Sequence, residues 1–362
     1  MPPLHATKPR RQPGPATLRA LAHAVGLDPS TVSRALAGKP GVSTETRALV
    51  ESAALKMDYK PNALAQALRS RKSGLVGLVV PDIRNEWYTT LAAVMETRLS
   101  QAGFVMQLSV SHDDRTRERQ AVRMLADHQA AGVILAPRGP RLPAVPGLDG
   151  RLPLIEVSRY TVAATDKIYA DDEIGALEAV TYLLSLGHRR IGLVTNALGL
   201  TTTSSRVRGY TRALHTAGLT IEMPLMLAHQ NSVEFGAAAA TRFLRLREPP
   251  TAVVAGGHLI ALGILQALAN RRLRVPDDMS LLTFDDTSWI AAWPGGITAL
   301  RAPWLDMAGT AVDLLLERME IAAGRAPLRS PIVRVFPYEM MIRGSTVSLG
   351  EGGSKEAPGP IG

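Results

Sequence analysis

Ser30, Thr31, Ser33 and Arg34 stand together in the string DPSTVSRAL (28–36). If that string is a helix, Val32, Ala35 and Leu36 take its inner side and the three hydroxyls and the guanidinium face out. Such a face offers hydrogen bonds and one positive charge, which is chemistry for recognising a polar or anionic surface. Catalytic chemistry is harder to find. Asp285, His258 and Arg206 are candidates for an assembled site, but no spacing links them to a known reaction. No G-x-G-x-x-G follows an apolar run, and Gly38-Lys39 is followed by Pro40, so there is no phosphate-binding loop. H-E-x-x-H and G-x-S-x-G are also missing. The chain has no cysteine, which removes disulfides and thiolate metal sites and fits a reducing cytoplasm. No catalytic residue, metal or cofactor is expected.

The elements that would position these side chains can be read outward from Ser30. Residues 17–37 read TLRALAHAVGLDPSTVSRALA. Leu18, Leu21, Ala22 and Val25 give a first helix its apolar face, and Gly26 ends it where a left-handed backbone is often required. Asp28 then serves as N-cap with Pro29 at the first helical position. Two short helices around a glycine-bearing turn form the helix-turn-helix pattern, whose second helix enters the major groove. A third helix is expected after Ser43, burying Leu49, Val50, Ala53 and Leu55. Tyr59-Lys60-Pro61 breaks the chain, and Asn62 can cap a short helix, ALAQALRS.

Charge singles out the same end. The net charge is +9, and residues 1–72 hold 12 Lys/Arg against 4 Asp/Glu. Nearly the whole excess lies in the first fifth of the chain, the footprint of a polyanion partner. Residues 1–15 are basic and Pro-rich and read as a disordered arm; residues 349–362 read as a disordered Gly/Pro-rich tail without a leucine heptad. No stretch has the length of a signal peptide's apolar core or of a membrane helix. A soluble, cytoplasmic protein with no membrane partner is expected.

Beyond residue 72 the pattern changes. Apolar runs at 75–81, 104–110, 132–137, 152–158, 190–196, 251–257 and 280–284 alternate with amphipathic segments at 87–102, 116–128, 172–186, 204–217, 233–247, 259–271 and 304–323. That alternation specifies an α/β fold with a parallel sheet covered by helices on both faces. Such sheets bind ligands at the carboxyl ends of their strands.

The chain resembles the LacI/GalR family of bacterial transcriptional repressors. The resemblance rests on T-L-x-x-L-A-x-x-x-G-L-D-P-S-T-V-S-R-A-L at 17–36, V-S-x-x-T-R at 42–47 and Y-K-P-N-x-x-A-Q-x-L at 59–68. It continues through VGLVVPDIRNEWY (76–88), LLSLGHRRIGLV (183–194), RVRGY (206–210), ALGILQAL (261–268) and FDD (284–286). It implies a helix-turn-helix domain at 16–61, a hinge helix and linker at 62–72, and a two-lobed, periplasmic-binding-protein-like effector and dimerisation domain at 73–348. Pro29, Ser30 and Arg34 would face base edges, with Arg34 bidentate to guanine. Thr17, Thr31 and Ser33 would contact phosphates. Asn62 and Gln66 belong to the hinge helix, whose Leu68 would wedge into the minor groove. Ala37 stands where the family often has asparagine.

The resemblance also implies a ligand between the lobes. Trp87 and Tyr88, after an Asn85 that would cap their helix, offer aromatic faces to a sugar or a base. Arg206, expected at the start of a helix, and Asp285, after the run SLLTF, match ligand-binding positions. Asp286 is expected to cap a helix or be solvated. Gly257-His258 stand where the family usually has Asn-Asp; His258 either binds an acidic ligand or caps the next helix. Thr283 replaces a common glycine and Ala131 a common aspartate. The expected function is therefore a sequence-specific transcriptional regulator. It would act as a homodimer on a palindromic double-stranded operator, with allosteric control by a small-molecule effector such as a sugar or sugar acid. A sugar-binding protein of a transport system would explain the α/β part alone, not the first 72 residues.

Overall fold

The computed structural model describes residues 17–36, 41–57, 59, 73–145, 148, 152–349 and 355–356. The chain divides into two units, residues 1–73 and 74–362.

The first unit contains helices α1 (Leu18–Val25), α2 (Pro29–Leu36) and α3 (Thr44–Lys56). Each start is capped by a side chain that accepts an otherwise unpaired amide. Thr17 Oγ1 takes Ala20 N at 3.2 Å, Asp28 Oδ1 takes Ser30 N at 2.7 Å, and Ser43 Oγ takes Thr46 N at 3.2 Å. Gly26 ends α1 at φ 67°, a left-handed conformation that carries little penalty without a Cβ. Leu21, Ala22, Val32, Ala35, Val50 and Ala54 form the core. The expected inner face of α3 is corrected here: Leu49 and Leu55 are 52% and 84% exposed. At 3.6 residues per turn Val50, Ala53, Ala54 and Met57 share one side, and Leu49 and Leu55 fall to either side of it.

The second unit is built from two lobes. In the first, β1 (Leu75–Val80), β2 (Val105–Val110), β3 (Gly132–Leu135), β4 (Leu154–Val157), β5 (Asp166–Ala170) and β11 (Val333–Phe336) form a parallel sheet in the order β11-β5-β4-β3-β1-β2. Helices α4 (Glu86–Gln101) and α5 (Arg115–Asp127) accompany it. In the second lobe, β6 (Ile191–Thr195), β7 (Met226–Ala228), β8 (Ala252–Ala255), β9 (Ser280–Phe284), β10 (Thr298–Arg301) and β12 (Glu339–Met341) follow the order β12-β10-β9-β8-β6-β7, and only β12 runs antiparallel. Its helices are α6 (Asp172–Ser185), α7 (Thr201–Thr216), α8 (Val233–Leu244), α9 (His258–Ala269) and the short α10 (Ser288–Ala292).

The chain crosses between lobes three times: from β5 into α6, from β10 into α11 (Trp304–Ala322), and from β11 to β12. Helix α11 returns to the first lobe, where Met307, Ala311, Val312 and Leu315 join Leu91, Met95, Ile134 and Ile155 in one core. Each sheet is apolar on both faces, as a parallel sheet between helix layers must be. Two glycines set the helix pairs of the second lobe. A Cβ on Gly209 would lie 2.1 Å from Glu173 O, and one on Gly263 would lie 2.0 Å from Val233 O.

The strand runs and helical segments expected from the sequence all appear, with shifted ends. Strands β5, β7, β10, β11 and β12 are additional. Helix α7 starts at Thr201, three residues earlier than expected, so Arg206 sits in its second turn. Within the segment read as an unstructured tail, Lys355–Glu356 pairs antiparallel with Ser348–Leu349. Among the described residues, no helix is long and apolar enough to cross a membrane.

Candidate functional site

The carboxyl ends of both sheets, and the helices that follow, line a small cavity. Each wall residue owes its place to the topology. Ser158 and Arg159 follow β4, Asn196 follows β6 and Asp285 follows β9. Trp87 and Tyr88 start α4, where Asn85 Oδ1 caps Trp87 N at 3.0 Å. Asp172, Trp304 and Tyr338 stand at the three lobe crossings.

Aromatic rings form one side. Trp87 and Trp304 have centroids 5.4 Å apart, and Trp87 and Tyr88 6.1 Å. An arginine network forms another. Arg206 is 5% exposed, its Nε donates to Asp172 Oδ1 at 2.6 Å, and its Nη1 donates to Gly256 O. Its guanidinium lies 3.9 Å above the Phe284 ring centroid. Burial works against this charge, but Asp172, Tyr338 and Asp285 raise its pKa, so Arg206 stays protonated. Tyr338 donates to the same Asp172 oxygen at 3.2 Å, and burial, then Asp172, push its hydroxyl well above the usual tyrosine range. On the other lobe, Arg159 is paired with Asp113. Both arginines of the cavity wall are thus already matched with carboxylates.

The remaining polar atoms are not. Thr195 Oγ1, Asn196 Oδ1, Thr202 Oγ1, Thr203 Oγ1, Asn231 Oδ1, His258 Nδ1 and Thr287 Oγ1 are buried without a hydrogen-bond partner. All belong to the carboxyl edge of the second lobe, and Asn196 and Thr202 line the cavity. Buried polar groups are normally satisfied, and leaving one unpaired costs about 1–3 kcal/mol. Such a concentration marks a surface organised for something that supplies the missing bonds. Backbone strain gathers here too. Ser158 (φ 64°), Asp285 (φ 70°), His112 (φ 53°) and Asp113 (φ 56°) are left-handed without being glycine. Among the described residues only Gln129 and Arg272, each just past a helix end, share that conformation.

The structure therefore brings Trp87, Tyr88, Arg206 and Asp285 into one cavity. Gly257 and His258 do not line it. Gly257 caps α9 against Asn231, and His258 is 2% exposed, with Nδ1 3.7 Å from Asp285 Oδ2. His258 thus backs Asp285. Asp286 neither caps a helix nor meets solvent; Arg343 Nη1 and Nη2 bind its carboxylate at 2.7 and 2.9 Å. Thr283 and Ala131 are buried in or beside strands. Sequence reasoning missed Arg159, Asn196, Asp172, Trp304 and Tyr338. Arg159 and Asn196 follow recognised strand runs, and that position was the signal; the other three sit at crossings whose strands were not recognised.

In the helix-turn-helix unit, Ser30 and Arg34 are exposed one turn apart on α2, Pro29, Thr31 and Ser33 are half-buried, and Thr17 is exposed. The hydroxyl and amide of Ser30 hold the Asp28 carboxyl below its usual range. Asn62, Gln66, Leu68 and Ala37 lie outside the described residues.

Residues 17–62 match the family model of bacterial regulatory proteins, lacI family, and residues 180–346 match a periplasmic binding protein-like domain. The HTH-type transcriptional regulator MalR of Streptomyces coelicolor is 32% identical over 344 residues, covering 91% of this chain and 96% of that protein. The chain belongs to the LacI family. The HTH-type regulator DegA of Bacillus subtilis is 29% identical over 340 residues, with 92% of this chain and 98% of that protein covered. Among solved structures, the lac repressor dimer bound to operator and the anti-inducer ONPF matches with a TM-score of 0.77 over 92% of this chain and 99% of that one, at 24% identity, a likeness of fold. This LacI-family protein is a DNA-binding transcriptional regulator with a periplasmic-binding-protein-like effector domain, and not an enzyme.

Proposed function

We propose that this regulator acts in the cytoplasm as a homodimeric repressor on a palindromic duplex operator, and that a neutral sugar bound between the lobes sets its operator affinity. In each half-site, Arg34, Ser30 and Pro29 would meet base edges, while Thr17, Thr31 and Ser33 would meet phosphates. Asn62, Gln66 and Leu68 are assigned to the minor groove on the sequence resemblance alone. Ser30 and Arg34 on one exposed face of a capped helix support the first part of this reading.

One observation carries the ligand class: the cavity's two cations are committed, whereas Asn196 Oδ1 and Thr202 Oγ1 on its wall are not. An anionic ligand needs a free cation, and both Arg206 and Arg159 are in ion pairs. A sugar instead offers hydroxyls that donate to Asn196 and Asp285 and accept from Thr202, and an apolar ring face for Trp87 or Trp304. For binding to reach the operator, the sugar must favour one arrangement of the lobes over another. A thermal-shift screen of the full chain against sugars, sugar acids, sugar phosphates and purines tests the class. Ligand at about 100 times its Kd adds about 2.7 kcal/mol of stability. Stabilisation by neutral sugars is expected; stabilisation by acids or purines alone would overturn the assignment.

A further inference from the structure

His258 is a titratable side chain sealed beside a residue of the cavity wall. It opens α9 with its side chain 3% exposed, and it does not line the cavity, whereas Asp285 does. Its Nδ1 is buried without a hydrogen-bond partner. Asp285 Oδ2 stands 3.7 Å from that nitrogen. A charge-assisted N–H···O bond spans roughly 2.7–2.9 Å, so the two groups are about 1 Å from closing one. Gly257-His258 also stand where the LacI family usually has Asn-Asp. An imidazole thus faces Asp285 from a position that usually carries a carboxylate.

The other charges around the pair are matched. Arg206 Nη1 donates to Gly256 O, two residues before His258, and Arg206 Nε holds Asp172. Arg343 binds Asp286. Burial pushes the hydroxyls of Tyr88 and Tyr338 up, so both stay neutral. The remaining neighbours are neutral: Asn231 lies against Gly257 and Thr195 against Gly256. Among these side-chain types, only an imidazole ordinarily changes charge between pH 5 and 8.

We propose that His258 positions the Asp285 carboxylate in a proton-dependent way. With the imidazole neutral, the gap stays open and the carboxylate is free to accept from a molecule in the cavity. A proton taken from water makes Nδ1 a charged donor, and the bond to Asp285 Oδ2 closes. The carboxylate is then drawn toward α9 and one acceptor is withdrawn from the cavity wall. Acid therefore weakens the hold on any hydroxyl that Asp285 would bind. That consequence rests on the reading of Asp285 as a ligand group; the pair itself does not.

A double-mutant cycle in the full chain, with no ligand present, tests the pair. Urea unfolding of wild type, His258→Gln, Asp285→Asn and the double variant is measured at about pH 5.5 and about pH 8.5. Asparagine keeps the shape of the carboxylate and tolerates the left-handed backbone at Asp285. Asp172, which burial raises, is the same in all four chains and drops out of the comparison. Coupling of about tenfold in the folding equilibrium is expected at the lower pH, and under about twofold at the higher. Equal coupling at both pH values is what a merely packed imidazole gives, and it would overturn the proposal, as would no coupling at either. A second measurement does not depend on how the His258 variant folds. Imidazole NMR signals are followed with pH in wild type and in Asp285→Asn, and one of the eight histidines should titrate about one pH unit lower in the variant. Eight unchanged titrations would overturn the pair. Neither measurement contains a sugar, so failure of the pair and failure of the carbohydrate reading are told apart.

Discussion

Arg206 Nε donates to Asp172 Oδ1 across 2.6 Å, with each side chain 7% exposed. Asp172 opens α6 just past the first lobe crossing, and Tyr338 at the third crossing binds the same oxygen. One buried ion pair therefore fixes a cavity wall and ties two of the three connections between lobes. Arg206→Ala leaves Asp172 buried and unpaired, which typically costs about 3–5 kcal/mol. The variant should unfold at lower urea concentration than wild type and lose sugar binding. An Arg206→Ala chain with wild-type stability would contradict the pair's role.

The operator face is separable from the cavity. Arg34→Ala should weaken operator binding by about 1–3 kcal/mol and relax preference at one base position, while sugar binding is unchanged. Fluorescence anisotropy with operator duplexes substituted one base pair at a time is the measurement. An equal loss on every sequence would place Arg34 on the phosphates instead.

How far the sequence reached depends on what each element displays. The strands buried on both faces, such as LVGLVV and SLLTF, are continuous apolar runs and were legible, as were the caps at Asp28, Ser43 and Asn85, whereas Thr17, read only as a phosphate contact, also caps α1. Strand β5 reads DKIYA because Asp166 is taken up by Arg318 and Arg329, ion pairs made far along the chain that no local pattern reveals. Strand β11 is an edge strand with Val333 and Val335 about half exposed. The cavity residues that follow these unrecognised strands, Asp172 and Tyr338, were hidden with them. Arg206 was found, but its burial was not, because its partner stands 34 residues earlier.

One acid should oppose stability as pH rises. Glu118 is 2% exposed and accepts Arg138 N at 2.6 Å; burial raises its pKa from 4.5 to about 7. An acid whose pKa is raised on folding holds its proton in the native state while the unfolded chain has released it. The contribution of Glu118 to stability is therefore greatest below about pH 4.5, falls as pH rises to about 7, and is level above that, a span of at most ~3 kcal/mol. Glu118→Gln should flatten that slope and be more stable than wild type at pH 8. Parallel stability-against-pH curves for the two chains would contradict the raised pKa.

Helix packing in the second lobe depends on a missing side chain. Gly209→Ala puts a Cβ 2.1 Å from Glu173 O, a backbone atom that cannot swing aside. Forcing α6 and α7 apart should cost about 1–3 kcal/mol and lower the Tm by several degrees. Operator contacts on α2 are not involved. A wild-type Tm would show that the two helices separate freely.

The most direct test of control from the cavity is operator affinity measured with and without the sugar that best stabilises the chain. Anisotropy of a labelled palindromic duplex is followed for wild type and for Asp285→Ala. Saturating sugar should change the wild-type operator Kd by about 5–150-fold, the usual range of allosteric coupling, and change the variant's little at the same concentration. A sugar that binds wild type tightly yet leaves its operator Kd unchanged would contradict control of DNA binding from the space between the lobes.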